Sequence, residues 1–358
     1  MTHFLQDILR QPQELERALG YLSGPGRTEL QTAAAAIRKA RHVYLTGMGS
    51  SWHAAFGAGA IFSLAGKPVY MQDAGELVEF ATFPADSVII TISRSGRSSE
   101  IVNLLAKARK SAATVVGVTN SADGVLALEA HLPILIPTLR DHAISVNTYS
   151  TLAVAAAALA SAAVNSFSGQ LAASLRSLAA ETERRIPDWQ KQIAGNNWFA
   201  PGRIVHFLAR GGSLGSCHEA RLLWEEGAKS EATALGTGSF RHGPQEMVVA
   251  GSRFAMWIDG ERCREQDLSV ARDLRRLGAS LILIGHNLPP DAADLVFQLP
   301  SVPAEWQFMI DILPAQLAAE HLSRLSGMDC DSFRVCSYIV EDEYGLIAAE
   351  AGIRKNAK

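Results

Sequence analysis

The chain has 358 residues, 48% of them hydrophobic and 19% charged, with a formal net charge of −3 at pH 7 and a pI near 6.4. That length calls for two domains, and that apolar content supplies ample buried core. A slightly acidic chain without a basic run speaks against a nucleic-acid surface.

In chain order, "MTHFLQDILRQPQELERAL" carries acids and reads as an amphipathic helix interrupted near Pro12, not as a secretory signal. Apolar runs of strand length then alternate with helical patterns. "HVYLTG" (42–47) is a strand and "SWHAAFGAGAIFSLAG" (51–66) a helix. "KPVYMQD" is a second strand and "DSVIITIS" (86–93) a third, followed by a helix over 97–111. "ATVVGVT" and "LPILIP" continue the series. Residues 142–175 contain no Lys, Arg, Asp or Glu, but the stretch is mostly alanine with Ser, Asn and Thr throughout. A buried helix fits that composition better than a bilayer span, so no membrane is expected. Long helices are predicted over 147–166 and 169–190.

The pattern then restarts. "RIVHFLARGGSLGSCHEARLLWEE" repeats the layout of "RHVYLTGMGSSWHAAFGAG": strand, glycine, serine-bearing turn, helix. Gly49 and Gly211 superpose, 162 residues apart. "SRFAMWID", a helix over 265–277 and "ASLILIG" add further βα units. Strands joined by helices give parallel sheets covered on both faces. The expected fold is therefore α/β, with two tandem domains, each a mainly parallel sheet flanked by helices in an α-β-α sandwich. The expected boundaries are 1–28 for an N-terminal helical segment, 29–190 for the first domain, 198–345 for the second and 346–358 for a tail. A polar, then Gly/Pro-bearing linker is placed near 190–200. The four cysteines, Cys217, Cys263, Cys330 and Cys336, form no CxxC pair and have no histidine at metal-ligand spacing. They read as scattered reduced thiols of a cytoplasmic protein with no metal site.

The chemistry concentrates in "TISRSGRSSEI" (91–101). Ligands of a parallel α/β sheet bind beyond the carboxyl ends of its strands. Ser93 closes such a strand, Gly96 permits a tight turn, and Ser98 and Ser99 stand where the next helix begins. The first helical turn has free N–H groups and a partial positive charge. Hydroxyls of Ser93, Ser95 and Ser98 add donors, and Arg94 or Arg97 can add charge, an arrangement suited to a phosphate monoester. The plainer reading is that Ser98 or Ser99 simply caps the helix. In "TGMGSS", Gly47-Met48-Gly49 could open a dinucleotide site, but Trp52 stands where the third glycine belongs. No acid ends the second strand at the usual distance unless Asp73 is counted, so a nicotinamide enzyme is disfavoured. Ser50 and Ser51 fit a sugar-phosphate pocket better.

"ISRSGRSSEI" resembles the phosphate-binding signature of the sugar isomerase (SIS) domain. "FRHGPQEMV" (240–248) resembles the F/L-K/R-H-G-P motif of the double-SIS proteins. The best known of these is the isomerase half of glucosamine-6-phosphate synthase, and "THFLQDILRQPQEL" resembles the segment that opens it. The resemblance implies a phosphate site of Ser93, Arg94, Ser95 and Ser98, with Gly49, Ser50 and Ser51 lining the sugar. It maps the family glutamate before the H-G-P motif to Glu226 and a second acid to Glu219. It also implies a homodimer whose sites are completed by His242 of the other subunit. The chain would start at the isomerase part, without the cysteine-initiated glutaminase domain and without a helix-turn-helix domain. No metal or organic cofactor is implied; the expected ligand is a hexose or hexosamine phosphate.

Glu219 and Glu226 are seven residues apart and share a helix face. Glu226 precedes Gly227 near a helix end, where the negative end of the dipole raises a carboxylate's proton affinity and favours a general base. Such a base moves the proton between C1 and C2 in aldose–ketose isomerisation; the plain alternative is a surface acid. His242 precedes Gly243-Pro244, so a helix should start at "PQEMV" and its positive end should keep the imidazole neutral, ready to open the sugar ring. In the synthase a lysine in an R-x-L-A/S-K segment forms a Schiff base. Here "DSFRVCSYIVEDE" is the comparable stretch, with Tyr338 in that place, and a second family lysine falls at Leu223. Lys355 and Lys358 lie further on, and Tyr338 could hydrogen-bond a sugar hydroxyl instead. The second domain has no serine loop after "SRFAMWID", which leaves one substrate site per chain. The expected function is ring opening and C1/C2 proton transfer on a hexose or amino-hexose 6-phosphate. Isomerase, deaminase and deglycase variants share that first step. The alternative is a non-catalytic phosphosugar-binding protein.

Overall fold

The structure, a computed structural model, describes residues 1–342, 345 and 346. The expected tail over 346–358, with Lys355 and Lys358, lies outside the described residues apart from Leu346. The chain opens with helices α1 (His3–Ser23) and α2 (Arg27–Lys39), then strand β1 (His42–Thr46), α3 (Ser50–His53) and α4 (Ala55–Leu64). The first half continues with β2 (Tyr70–Met71), α5 (Ala74–Phe80), β3 (Ser87–Ser93), α6 (Ser99–Ser111), β4 (Thr114–Thr119), α7 (Val125–Glu129) and β5 (Leu132–Leu135). Three helices follow: α8 (Asn147–Ala163), α9 (Gly169–Glu183) and α10 (Ile186–Ala194). The second half holds β6 (Val205–Ala209), α11 (Ser213–Glu226), β7 (Ala232–Gly236), α12 (Thr237–Phe240) and β8 (Arg253–Trp257). It ends with α13 (Arg264–Arg276), β9 (Ser280–His286), β10 (Leu295–Leu299) and α14 (Leu313–Leu325).

The two sheets are five-stranded and wholly parallel. The first runs β2-β1-β3-β4-β5 and the second β7-β6-β8-β9-β10, so each has the same order along the chain. In each sheet the connections diverge between the first and third strands, which opens a crevice at their carboxyl ends. Register fixes the first crevice: β1 pairs with β3 from His42 opposite Ser87 to Thr46 opposite Thr91. The turns after Thr46 and after Ser93 therefore meet at one edge.

Several elements differ from the sequence reading. Helix α1 is continuous through Pro12. Burial of Phe4, Ile8, Leu15, Leu19 and Leu22 along one face outweighs the backbone bond that proline cannot make. The helix expected over 51–66 breaks at Ala54 into α3 and α4, and the one over 169–190 breaks between Glu183 and Ile186, with Pro187 in the first turn of α10. The segment 190–200, read as a linker, carries the end of α10 and buries Trp198 and Phe199. All seventeen residues of α8 are buried, and their small side chains let it lie against α1, α2 and α4. The largest apolar core is continuous across both halves, with smaller cores on the outer face of each sheet. Among the described residues no helix is long and apolar enough to cross a membrane.

Candidate functional site

Strand β3 is buried along its whole length and delivers Ser93 to the first crevice. Gly96 turns the chain at φ 63°, and a Cβ there would come within 2.9 Å of the Leu126 side chain. The Ser93 hydroxyl accepts the Gly96 N–H at 3.0 Å, and the Ser95 hydroxyl accepts the Arg97 N–H at 3.2 Å. Those two serines shape the turn. Ser98 occupies the N-cap position of α6 but makes no capping bond, which removes the plain capping reading for that hydroxyl. Across the crevice Gly49, at φ 52°, starts α3, where Ser51 Oγ accepts the Arg94 N–H at 3.3 Å.

These turns surround a cavity of about 250 Å³. Gly49, Ser50, Ser51, Ser93, Arg94, Ser95, Ser98, Glu226 and Tyr338 all line it. Of the site residues read from the sequence, Arg97, Glu219 and His242 lie outside, and the Arg97 guanidinium pairs instead with Asp123. The Arg94 guanidinium does not point at the serine turn. It donates to the Tyr338 carbonyl at 2.7 Å and the Ser145 hydroxyl at 2.8 Å, and lies 4.1 Å over the Tyr338 ring. Arg94 thereby ties to the turn after β3 a strap of residues 333–340, from which Phe333 and Cys336 to Val340 line the cavity. The strap is also fixed at its far end, where the Ser99 N–H donates to the Val340 carbonyl at 3.1 Å. Among the described residues the Tyr338 hydroxyl reaches the Asp141 carbonyl alone, at 3.5 Å.

Glu226 ends α11 and lines the same cavity as the serine turn. Its carboxyl is pushed up to about 7, first by burial and then by the charge of Glu219; Arg94 and Lys229 pull the other way. A carboxyl poised near neutrality can take and return a proton at ordinary pH. Desolvation, rather than the helix end alone, carries this effect. Lys229 donates to the Glu226 carbonyl and to Ser332, which fixes the turn after α11.

Glu219 is fully buried below the cavity, and its Oε2 lies 2.8 Å from His53 Nδ1. It does not line the cavity where a sugar would sit. His242 is exposed just past α12, with its N–H donating to the Ser239 carbonyl at 3.1 Å. The segment after it is a single 3-10 turn, Pro244–Met247, not the helix expected at "PQEMV". So short a turn aligns few peptide dipoles and gives His242 no helix N-terminus to sit on. Sequence reasoning missed the strap residues Phe333, Cys336 and Ile339, the contact from Ser145, and His53. The His53 signal was its place one turn after Ser50 in "GSSWH"; the strap has no periodic pattern to read. Among the described residues no group of three or more His, Cys, Asp or Glu could hold a metal ion.

Comparison with known proteins adds the following. Residues 36–163 match the sequence model of the SIS domain. Over 343 residues the chain is 28% identical to the glutamine–fructose-6-phosphate aminotransferase (isomerizing) of Pyrococcus horikoshii, covering 92% of this chain and 56% of that protein. It is 23% identical over 351 residues to the protein of the same name from Pseudomonas aeruginosa, covering 93% of this chain and 57% of that protein. The chain thus spans a little over half the length of the curated relatives it matches. Among solved structures, the C-terminal domain of glucosamine-fructose-6-phosphate aminotransferase from Francisella tularensis superposes with a TM-score of 0.81 at 20% identity, over 92% of this chain and 97% of that one. Tagatose-6-phosphate ketose/aldose isomerase from Escherichia coli gives 0.81 at 22%, over 93% and 96%. Glucosamine-6-phosphate deaminase from Thermotoga maritima gives 0.79 at 20%, over 95% and 99%. At these identities the superpositions establish the shared fold.

Proposed function

We propose that this chain is a phosphosugar-processing enzyme of tandem SIS type. It would open a hexose or amino-hexose 6-phosphate and move a proton between C1 and C2. The observation that carries this reading is the placement of Glu226, with a proton affinity near neutrality, in one cavity with a serine turn. In this scheme the serine turn of Ser93, Ser95 and Ser98 holds the phosphate with the start of α6, while Arg94 is turned to Tyr338, and Gly49, Ser50 and Ser51 line the sugar. Glu226 then takes the proton from one carbon, leaving an enediolate, and returns it to the neighbouring carbon once a proton has shifted between the C1 and C2 oxygens. Relatives and structural neighbours are named for fructose, tagatose and glucosamine 6-phosphates, which supports a hexose phosphate as ligand.

His242 lies off the cavity of its own chain, so in this reading it opens the ring at the site of a second copy in a homodimer. The reading does not choose among isomerase, deaminase and deglycase, since each begins with the same proton transfer. The decisive experiment is solvent deuterium exchange at C2 across a panel of hexose and hexosamine 6-phosphates. Exchange that disappears in Glu226→Gln is the expected result. Tight binding of a panel member with no exchange would overturn the enzyme reading in favour of a phosphosugar-binding protein.

A further inference from the structure

Helix α11 sets Gly215, Glu219, Leu222 and Glu226 along one face, at helical spacings. Gly215 lets α11 lie directly on α3: a Cβ there would come within 2.6 Å of the His53 carbonyl oxygen. One turn further on, Glu219 meets His53 side chain to side chain, with both buried. Two turns beyond that, Glu226 reaches the cavity. His53 itself closes the short helix that Ser50 and Ser51 begin. It therefore links the serine turn of the first half to the acid-bearing helix of the second, yet the reaction proposed above gives it no step.

The second oxygen of Glu219, Oε1, is buried with no hydrogen-bond partner among the described residues. A buried carboxylate in that position depends on the one donor it has. His218 stacks on His53 with ring centroids 5.7 Å apart, and burial drives its proton affinity down to about 4, so it brings no charge at neutral pH. Tyr149 on α8 and Asp311 before α14 complete the surroundings, both joined to Ser216. Around Glu226 stand Glu219 and Glu225 on α11, Arg94 from the serine loop, Lys229 from the following turn and Cys336 from the strap.

We propose that His53 is a positioning residue: its bond to Glu219 holds a fixed negative charge in the core beneath Glu226 and ties that charge to the serine turn. The catalytic consequence rests on the reading of Glu226 as the base; the electrostatic content stands apart from it. The test is a carbon-13 NMR titration of protein labelled at the glutamate carboxyl carbon, with the Glu226 signal identified by its loss in Glu226→Gln. In the unaltered protein that signal should titrate near pH 7. Glu219→Gln and His53→Ala should each move its midpoint to lower pH, because the neighbouring negative charge is removed or neutralised. His53→Asn, which keeps an amide donor close to the Nδ1 position, should bring the midpoint back toward the original. Thermal melts identify which variants are folded, and the near-isosteric Glu219→Gln and His53→Asn decide if His53→Ala is not. An unmoved midpoint in folded Glu219→Gln, or His53→Asn behaving like His53→Ala, overturns the proposal. Deuterium exchange on the same proteins separates the two readings. If the unaltered protein exchanges no sugar phosphate, the enzyme reading falls while the titration still decides the role of His53.

Discussion

At the first crevice, between β1 and β3, two serine-bearing turns enclose a cavity. At the second, between β6 and β8, the same backbone layout is filled from within. Gly211, at φ 56°, repeats Gly49, but the residue before it is Arg210, whose Nε donates to the buried Asp267 at 2.6 Å. Asp267 also accepts the Asp259 N–H at 3.3 Å. Asp259 in turn accepts the N–H groups of Glu261 at 3.0 Å and Cys263 at 2.9 Å. The second crevice thus supplies its own carboxylates to the loop donors, whereas the first presents hydroxyls and a helix start to the cavity. An anion site in this topology therefore depends on which donors the chain leaves unsatisfied, not on the sheet that carries them.

That contrast can be broken in order of expected effect. Glu226→Gln should slow C2 exchange by on the order of 10²–10⁴-fold, the usual worth of a positioned general base; a change under tenfold would remove Glu226 from that role. The same substitution should reveal what the site costs in stability. The folded-state carboxyl sits near 7 against a reference of 4.5, so the folded protein holds its proton more tightly than the unfolded chain. Stability is then lost as pH rises from the reference value through the folded one, and the penalty is full above it. Glu226→Gln should therefore be more stable than the unaltered protein by up to about 3 kcal/mol at pH 8, with the gain vanishing toward pH 4. Urea unfolding at the two pH values measures it, and an equal difference at both would contradict the raised proton affinity.

Next come the crevices themselves. Ser95→Ala combined with Ser98→Ala should weaken hexose 6-phosphate binding by about 1–3 kcal/mol in calorimetry. Ser213→Ala, at the start of α11 beside the second crevice, should do the reverse. Its hydroxyl donates to the buried Asp311 at 2.6 Å, so stability should fall by about 1–3 kcal/mol while affinity holds. Identical behaviour of the two sets would erase the distinction. The smallest effect is expected from Tyr338→Phe. The hydroxyl lost makes only a 3.5 Å contact, so binding and stability should change by less than about 0.5 kcal/mol. A loss above 1 kcal/mol in binding alone would instead make Tyr338 a sugar contact.

Much of this arrangement was legible in the residues. The strands were readable because β3, "SVIITIS", and its neighbours are continuous apolar runs, as strands buried on both faces must be. The serine loop was readable because small hydroxyls follow such a run directly. Helix breaks were less so: the split at Ala54 leaves no proline or charge to mark it, and Pro12 marks a break that tertiary burial overrides. Arg94 shows a further limit. Its charge and position read as anion binding, yet its guanidinium is engaged by Tyr338 and Ser145, from segments 244 and 51 residues away. Glu219 came from the family resemblance, and only three-dimensional packing shows that it is buried against His53 and does not line the cavity.

The central claim is that the turn after β3 cradles a phosphate group. A crystal structure of the protein with a bound hexose 6-phosphate tests it most directly. Phosphate density is expected within hydrogen-bonding distance of Ser95 and Ser98, with the sugar directed toward Glu226. Phosphate bound at the second crevice or elsewhere, with the first crevice empty, would contradict it.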